Sequence, residues 1–235
     1  MTDPRDVTEM FDDISPRYDF LNHLLSMNLD KGWRAKASKL VTRHLRDHTE
    51  ARILDVATGT ADLALRMADD LPSAHLTGID LSQKMLDLAA RKVKARNLEQ
   101  RIDLLQEDAL ALPFHEGSFD AVTVAFGVRN FGNLSRGVME MARVLKQGGV
   151  MVILEFSTPT NRLVKAGYTL YVKRLLPWIG RVVSGHKTAY RYLPESIERF
   201  PDPEANMRML KEAGLKEVAK ERLFGGVATL YHGLK

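Results

Sequence analysis

The eleven residues ILDVATGTADL, 53–63, decide how this chain is read. Ile53-Leu54-Asp55-Val56 ends a short apolar run beginning at Arg52, the mark of a strand buried on both faces. Gly59 and Thr60 form the tight part of the following turn, and residues 61–71 have helical spacing. A strand, a tight turn and a helix in that order place Asp55 at a carboxyl strand end, where open α/β sheets bind their ligands against a helix N-terminus. The turn is not G-x-G-x-x-G, because Ala57 and Ala61 stand where glycines are expected. Their methyl groups hinder the close approach of a diphosphate.

The same alternation continues outward. Residues 76–79 and 102–105 read as strands, with a helix between them running to Arg96 under a Ser82 N-cap. Residues 119–126 (FDAVTVAF) form a fourth strand, 133–146 a helix closed by Gly148-Gly149, and 150–156 (VMVILEF) a fifth strand. Upstream, residues 29–45 put Trp33, Ala37, Leu40, Val41 and Leu45 on one helical face. Downstream, Asp202-Pro203 opens a helix that stops at Gly214, and a final hairpin over 217–223 and 227–233 adds antiparallel strands to one edge. The expected fold is α/β, a mostly parallel sheet with helices on both faces.

Composition narrows the class. The chain has 235 residues, 45% of them hydrophobic, which suits one globular domain with an elaboration better than two full domains. Within residues 1–235 the expected parts are an N-terminal helical segment (1–50), a cofactor-binding core (51–156), a basic and apolar lid (157–200) and a C-terminal helix with strands (201–235). With no Cys, disulfides, thiolate metal sites and a Cys nucleophile are excluded. His44 and His48 lack the Glu and third ligand of a zinc site, so no metal is expected. Neither a G-x-S-x-G elbow nor a P-loop is present, which argues against a hydrolase and an NTPase. No run is long and apolar enough to span a bilayer and the first residues lack signal-peptide order, so a cytoplasmic protein is expected.

Three successive strand ends carry polar residues. Asp80, 25 positions after Asp55, can accept both ribose hydroxyls of an adenosine. Asp108 can take the adenine amino group while the Ala109 N–H serves a ring nitrogen. Each alone also reads as a solvated, capping acid; together with the Gly59-Thr60 turn they favour an adenosyl ligand.

That combination resembles the class I S-adenosylmethionine-dependent methyltransferases, which implies a seven-stranded Rossmann-like sheet with a reversed last strand. YDFLNHLLSMNLDKGW (18–33), AFGVRNF (125–131), RVLKQGGVMVILEFS (143–157) and YRYLPESI (190–197) narrow the resemblance to the UbiE/MenG family of quinone C-methyltransferases, over nearly the whole chain. Leu21, Asp30 and Gln147 depart from the family pattern, and Ala125 replaces a Ser that some members use near the cofactor. The turn from Gly59 to Asp62 looks like the menaquinone-type members. The resemblance implies S-adenosylmethionine as cofactor, held by Asp55, Gly59, Thr60, Asp80, Leu81, Asp108 and Ala109. It implies methylation of a ring carbon of a polyprenylated hydroquinone, foremost demethylmenaquinol.

Such a carbon becomes nucleophilic when a ring hydroxyl loses its proton, so the protein must align the reactants and favour the phenolate. Arg129 and Asn130, just past the fourth strand, are the first candidates for the quinol oxygens, with Arg129 expected as a lone cation facing the crevice. Tyr190, His186 and Glu155 are base or relay candidates. Methylation of a ubiquinone precursor or another small molecule, and a non-catalytic adenosyl- or RNA-binding module, are the alternative readings.

Charge sets one segment apart. The net charge is +4, yet between Glu155 and Glu195 there are seven bases and no acid, leaving 27 bases to 30 acids elsewhere. There the bases mix with Leu175, Leu176, Trp178 and Ile179, which suits a prenyl-receiving lid at an anionic membrane surface better than nucleic acid. A packed helical insertion with a basic side is the plainer reading. Oligomeric state is not encoded in any of these features.

Overall fold

The computed structural model describes Asp12, Ser26, residues 28–159, Gly167, Tyr192 and residues 195–235. The chain runs α1 (Leu29–His44), β1 (Arg52–Val56), α2 (Asp62–Asp70), β2 (His75–Asp80), α3 (Gln83–Ala95), β3 (Ile102–Gln106) and β4 (Phe119–Ala125). It continues through α4 (Leu134–Val144), β5 (Leu145–Phe156), α5 (Pro203–Glu212), β6 (Lys216–Leu223) and β7 (Ala228–Leu234). The seven strands form one sheet of order β3-β2-β1-β4-β5-β7-β6. Strand order reverses between β1 and β4, and a crevice opens there beyond the carboxyl ends of both strands.

Strand alternation builds the two layers. Val150, Val152 and Leu154 of β5 face the layer that contains Trp33, Ala37 and Val41 of α1 and Met67 of α2. Met151 and Ile153 face the opposite layer, with Met141 of α4, Leu210 of α5 and Tyr231. Near-continuous apolar strands follow from burial on both faces. The caps stand where the side chains require them. Ser82 Oγ accepts from the Met85 N–H at 3.1 Å, and Asp202 Oδ1 accepts from Glu204 and Ala205, both at 2.9 Å, with Pro203 next to it.

One expectation is corrected. Gly148-Gly149 does not close α4; the helix ends at Val144 and β5 begins at Leu145. The glycines sit inside β5, where Gly148 has φ +77° and a Cβ on Gly149 would lie 2.9 Å from the Asp120 carbonyl oxygen. This lets Gly148 N–H reach the carbonyl of Lys235 at 2.9 Å, so the C-terminus is stitched to the start of β5. The final hairpin forms as expected at one edge of the sheet: β7 runs against both β5 and β6, so it is the reversed strand and β6 lies parallel to β5.

Candidate active site

β1 delivers Asp55 to a buried position behind the crevice, 1% exposed. Thr58 and Thr123 donate hydroxyl hydrogen bonds to it, each at 2.7 Å. Burial nonetheless pushes its carboxyl up to about 6, because the two hydroxyls and the distant Arg34 charge only partly replace water. The turn beyond is held in unusual backbone: Ala57 has φ +51°, Gly59 +56° and Ala61 +65°. The two alanines therefore occupy glycine-like conformations, strain of order 1 kcal/mol each that only a tightly determined site retains. Phe126, at the end of β4, is a third such residue, at φ +60°.

At the end of β2, Asp80 Oδ2 accepts from the Gly59 N–H at 2.8 Å and Oδ1 from the Ser82 N–H at 2.9 Å. This fixes the carboxylate between two loops. Burial raises its pKa, against the pull of those N–H donors, and the nearby Asp12 charge adds to the rise. Asp12 Oδ1 itself accepts from Ser82 Oγ at 2.5 Å, which brings Asp12 to the crevice rim. Asp108, after β3, accepts the Leu110 N–H at 2.9 Å.

The crevice is lined by Gly59, Asp80, Leu81, Asp108 and Ala109 from the sequence-predicted cofactor set, and by Asn130 on the opposite rim. Asp55 and Thr60 stand behind it. Thr60 is buried and accepts from Lys92 Nζ at 3.0 Å. Among the described residues, the lining carries three acids, Asp80, Glu107 and Asp108, and no Lys or Arg. An anionic dinucleotide does not fit such a lining, whereas an adenosyl group bearing a cation does. Ile79, Leu81 and Phe131 supply apolar surface for a base.

The quinol-side candidates separate. Arg129 is not a lone cation facing the crevice. Its guanidinium, 6% exposed, pairs at 2.8 Å with Glu155, which is fully buried. It also donates to the Phe126 carbonyl, reaches Ser196 Oγ at 3.3 Å and lies 5.4 Å from the Phe156 ring centre. Burying a cation requires a partner, and Glu155 at the adjacent strand end is that partner. Glu155 in turn accepts the backbone N–H groups of Arg129 and Phe156. Asn130 does line the crevice, on a 3-10 turn, Val128–Asn130. His186, Tyr190 and the lid read at 157–200, apart from Ser157 to Pro159, Gly167, Tyr192 and its last six residues, lie outside the described residues.

Tyr192 is the residue sequence reasoning missed. Its hydroxyl donates to Asn130 Oδ1 at 2.9 Å, and burial raises the pKa of its phenol. The only sequence signal was its alternation with Tyr190 in YRY.

A seven-stranded sheet with a reversed β7 and an acid-lined crevice at its switch point is the architecture of the class I S-adenosylmethionine-dependent methyltransferases. A solved structure, the [4+2]-cyclase SpnF, shares this fold with a TM-score of 0.72 at 19% identity, over 99% of this chain and 96% of that one. Among curated proteins, the chain is 47% identical to the demethylmenaquinone methyltransferase of Thermus thermophilus, covering 95% of this chain and 99% of that one. It is 44% identical to the ubiquinone/menaquinone biosynthesis C-methyltransferase UbiE of Geotalea uraniireducens, over 97% and 96% of the two chains. The chain belongs to the ubiE/COQ5 methyltransferase family, whose model matches residues 1–235.

Proposed function

We propose that this methyltransferase uses S-adenosylmethionine to methylate a ring carbon of demethylmenaquinol. The observation that carries the reading is the crevice lined by Asp80, Glu107 and Asp108 without a base, facing Asn130 across its mouth. The names of the relatives support the same substrate class. When bound, S-adenosylmethionine supplies the methyl group from its sulfonium.

The chain's own residues do the rest. Asp80 takes the ribose hydroxyls, with Leu81 packing beside it, and Asp108 with the Ala109 N–H takes the adenine edge. Gly59 lets the loop approach closely, while Asp55 and Thr60 hold that loop from behind. Asn130 donates to a quinol oxygen and so favours the phenolate, whose ring carbon is then electron-rich. Glu155 already accepts three N–H groups, so it holds Arg129 rather than collecting the substrate's proton. Arg129, paired with Glu155, holds the turn that carries Asn130 to the crevice.

We also propose that residues 157–200 act as a lid that brings the enzyme, otherwise cytoplasmic, to an anionic membrane surface. The support is their seven bases without acids among apolar residues, and the ~0.8 kcal/mol per CH₂ that a prenyl tail gains by staying in lipid. No helix among the described residues is long and apolar enough to cross a membrane. The parts read in the sequence, 1–50, 51–156, 157–200 and 201–235, then act as one unit around the crevice.

Mass spectrometry after incubation with S-adenosylmethionine and a short-chain demethylmenaquinol tests the activity. A product heavier by one methylene is expected, and an unmethylated quinol after prolonged incubation would refute the substrate. Pelleting with anionic but not neutral liposomes is the expected result for the lid, and its loss in Leu175→Asp/Trp178→Ala would tie binding to this segment. Equal pelleting of parent and variant, or none by either, would remove the membrane reading.

A further inference from the structure

Two of the side chains that hold the Val128–Asn130 turn are close in sequence. Tyr192 Oη donates to Asn130 Oδ1 at 2.9 Å, and four residues on, the buried Ser196 receives Arg129 Nε at 3.3 Å. The turn closes on itself through the Asn130 N–H, which donates to the Gly127 carbonyl at 3.0 Å. Its backbone is therefore fixed, and the remaining freedom is the Asn130 side-chain amide.

An asparagine amide has an acceptor oxygen and a donor nitrogen on opposite corners, and the two ends are nearly equal in size. Left alone at a crevice mouth it can present either end. A phenolate oxygen is attracted by the NH₂ end and repelled by the carbonyl end, so the orientation decides whether Asn130 helps or hinders. We propose that Tyr192 is a positioning residue that fixes this orientation, capturing Oδ1 so that Nδ2 faces the crevice as a donor to the quinol oxygen. The proposal rests on the quinol reading above.

Two further observations support it. Among the described residues, Asn130 Nδ2 has no acceptor, so the donor end remains available to a ligand. Burial raises the phenol's pKa, so Tyr192 stays protonated and a donor well into the alkaline range. The protonated phenol donates to the oxygen end of the amide, the pairing seen here. A tyrosinate would accept from the nitrogen end and turn the carbonyl toward the crevice.

The test compares Tyr192→Phe, Asn130→Asp, Asn130→Ala and the double variant Tyr192→Phe/Asn130→Ala by steady-state turnover of short-chain demethylmenaquinol. Calorimetric titration with S-adenosylmethionine checks in parallel that each variant is folded. Tyr192→Phe should lower kcat/KM for the quinol roughly ten- to hundredfold, with cofactor affinity within about twofold of wild type. The double variant should be no worse than Asn130→Ala, because the two residues act through one hydrogen bond. Asn130→Asp is decisive against a merely structural tether. It keeps an oxygen for Tyr192 but replaces the donor, so it should fall at least as far as Asn130→Ala. Wild-type turnover in Tyr192→Phe, additive losses in the double variant, or near-normal turnover in Asn130→Asp would each overturn the proposal. Should Tyr192→Phe fail to fold, near-normal turnover in Asn130→Asp still overturns the proposal. A wild-type enzyme that leaves demethylmenaquinol unmethylated would instead overturn the quinol reading, and the orientation proposal with it.

Discussion

Replacing Arg129 by Met, of similar length and no charge, isolates the buried ion pair. The Arg129 and Glu155 side chains are 6% and 0% exposed, so water cannot replace the lost guanidinium. Breaking such a pair from one side costs roughly 3–5 kcal/mol, because a carboxylate is left buried without its counter-charge. Here the lower end applies: Glu155 keeps the N–H donors of Arg129 and Phe156, which are backbone groups and survive the substitution. With about 2.1 cal/mol/K of unfolding entropy per residue, a chain of 235 residues has about 0.5 kcal/mol/K, so ~3 kcal/mol lowers Tm by about 6 °C. Circular dichroism melts of the wild type, Arg129→Met and Arg129→Met/Glu155→Gln measure it. The double variant should recover most of the loss, since no charge is left buried without its partner and the glutamine carbonyl still accepts one of the two backbone donors, which the two Glu155 oxygens now take separately. An Arg129→Met variant melting within about 2 °C of wild type, or a double variant no better than the single, would refute the assignment of the pair as buried and mutually dependent.

Asp80→Ala should weaken S-adenosylmethionine by about 1.5–3 kcal/mol in calorimetric titration, the loss of a charged hydrogen-bond acceptor; unchanged affinity in a folded variant would exclude the ribose contact. Asp55 produces a pH effect on stability. Its carboxyl is raised from 3.8 to about 6, so between those values the folded chain keeps a proton that the unfolded chain has released. Stability therefore falls as pH rises through that window, by ~3 kcal/mol from this group. Urea melts of wild type and Asp55→Asn at about pH 4 and about pH 7 should show a smaller fall in the variant, and equal falls would contradict the raised pKa. Gly127→Ala would bring a Cβ to 2.5 Å from Ala57 Cβ. Overpacking of this kind costs about 1–3 kcal/mol, seen as a lower Tm and weaker cofactor binding; a variant matching wild type in both would show the loop to be more yielding than its contacts imply.

Much of the fold was legible because local signals and the parallel sheet agree. Apolar runs such as 52–56 and 150–156 have no polar face, and Ser82 and Asp202 cap the helices their sequence announces. The cofactor side was legible for the same reason: Asp80 and Asp108 follow directly from where strands end. The opposite rim was not, because its logic is long-range. Arg129 looked unpaired since Glu155 lies 26 positions away, on a strand that only the register with β4 brings alongside. Tyr192 is 62 positions from Asn130. Gly148-Gly149 read as a helix stop because glycine marks stops and bulges alike, and only the pairing with the C-terminal residue distinguishes them.

The contact between Ala57 and Gly127 has a consequence for how this crevice can change over generations. One methyl group fits between the loops after β1 and β4, and two do not. A glycine at 57 removes the obstructing carbon and leaves a Cβ at 127 with nothing nearer than Val124 Cγ2 at 3.4 Å. It also relieves the positive φ of Ala57 while raising the entropy lost on folding, effects of similar size and opposite sign. The step from Ala57 to Gly is therefore close to neutral and opens the way for Gly127→Ala, whereas the reverse order passes through a crowded, handicapped intermediate. The two positions form an epistatic pair whose permitted path passes through glycine at both, never through alanine at both.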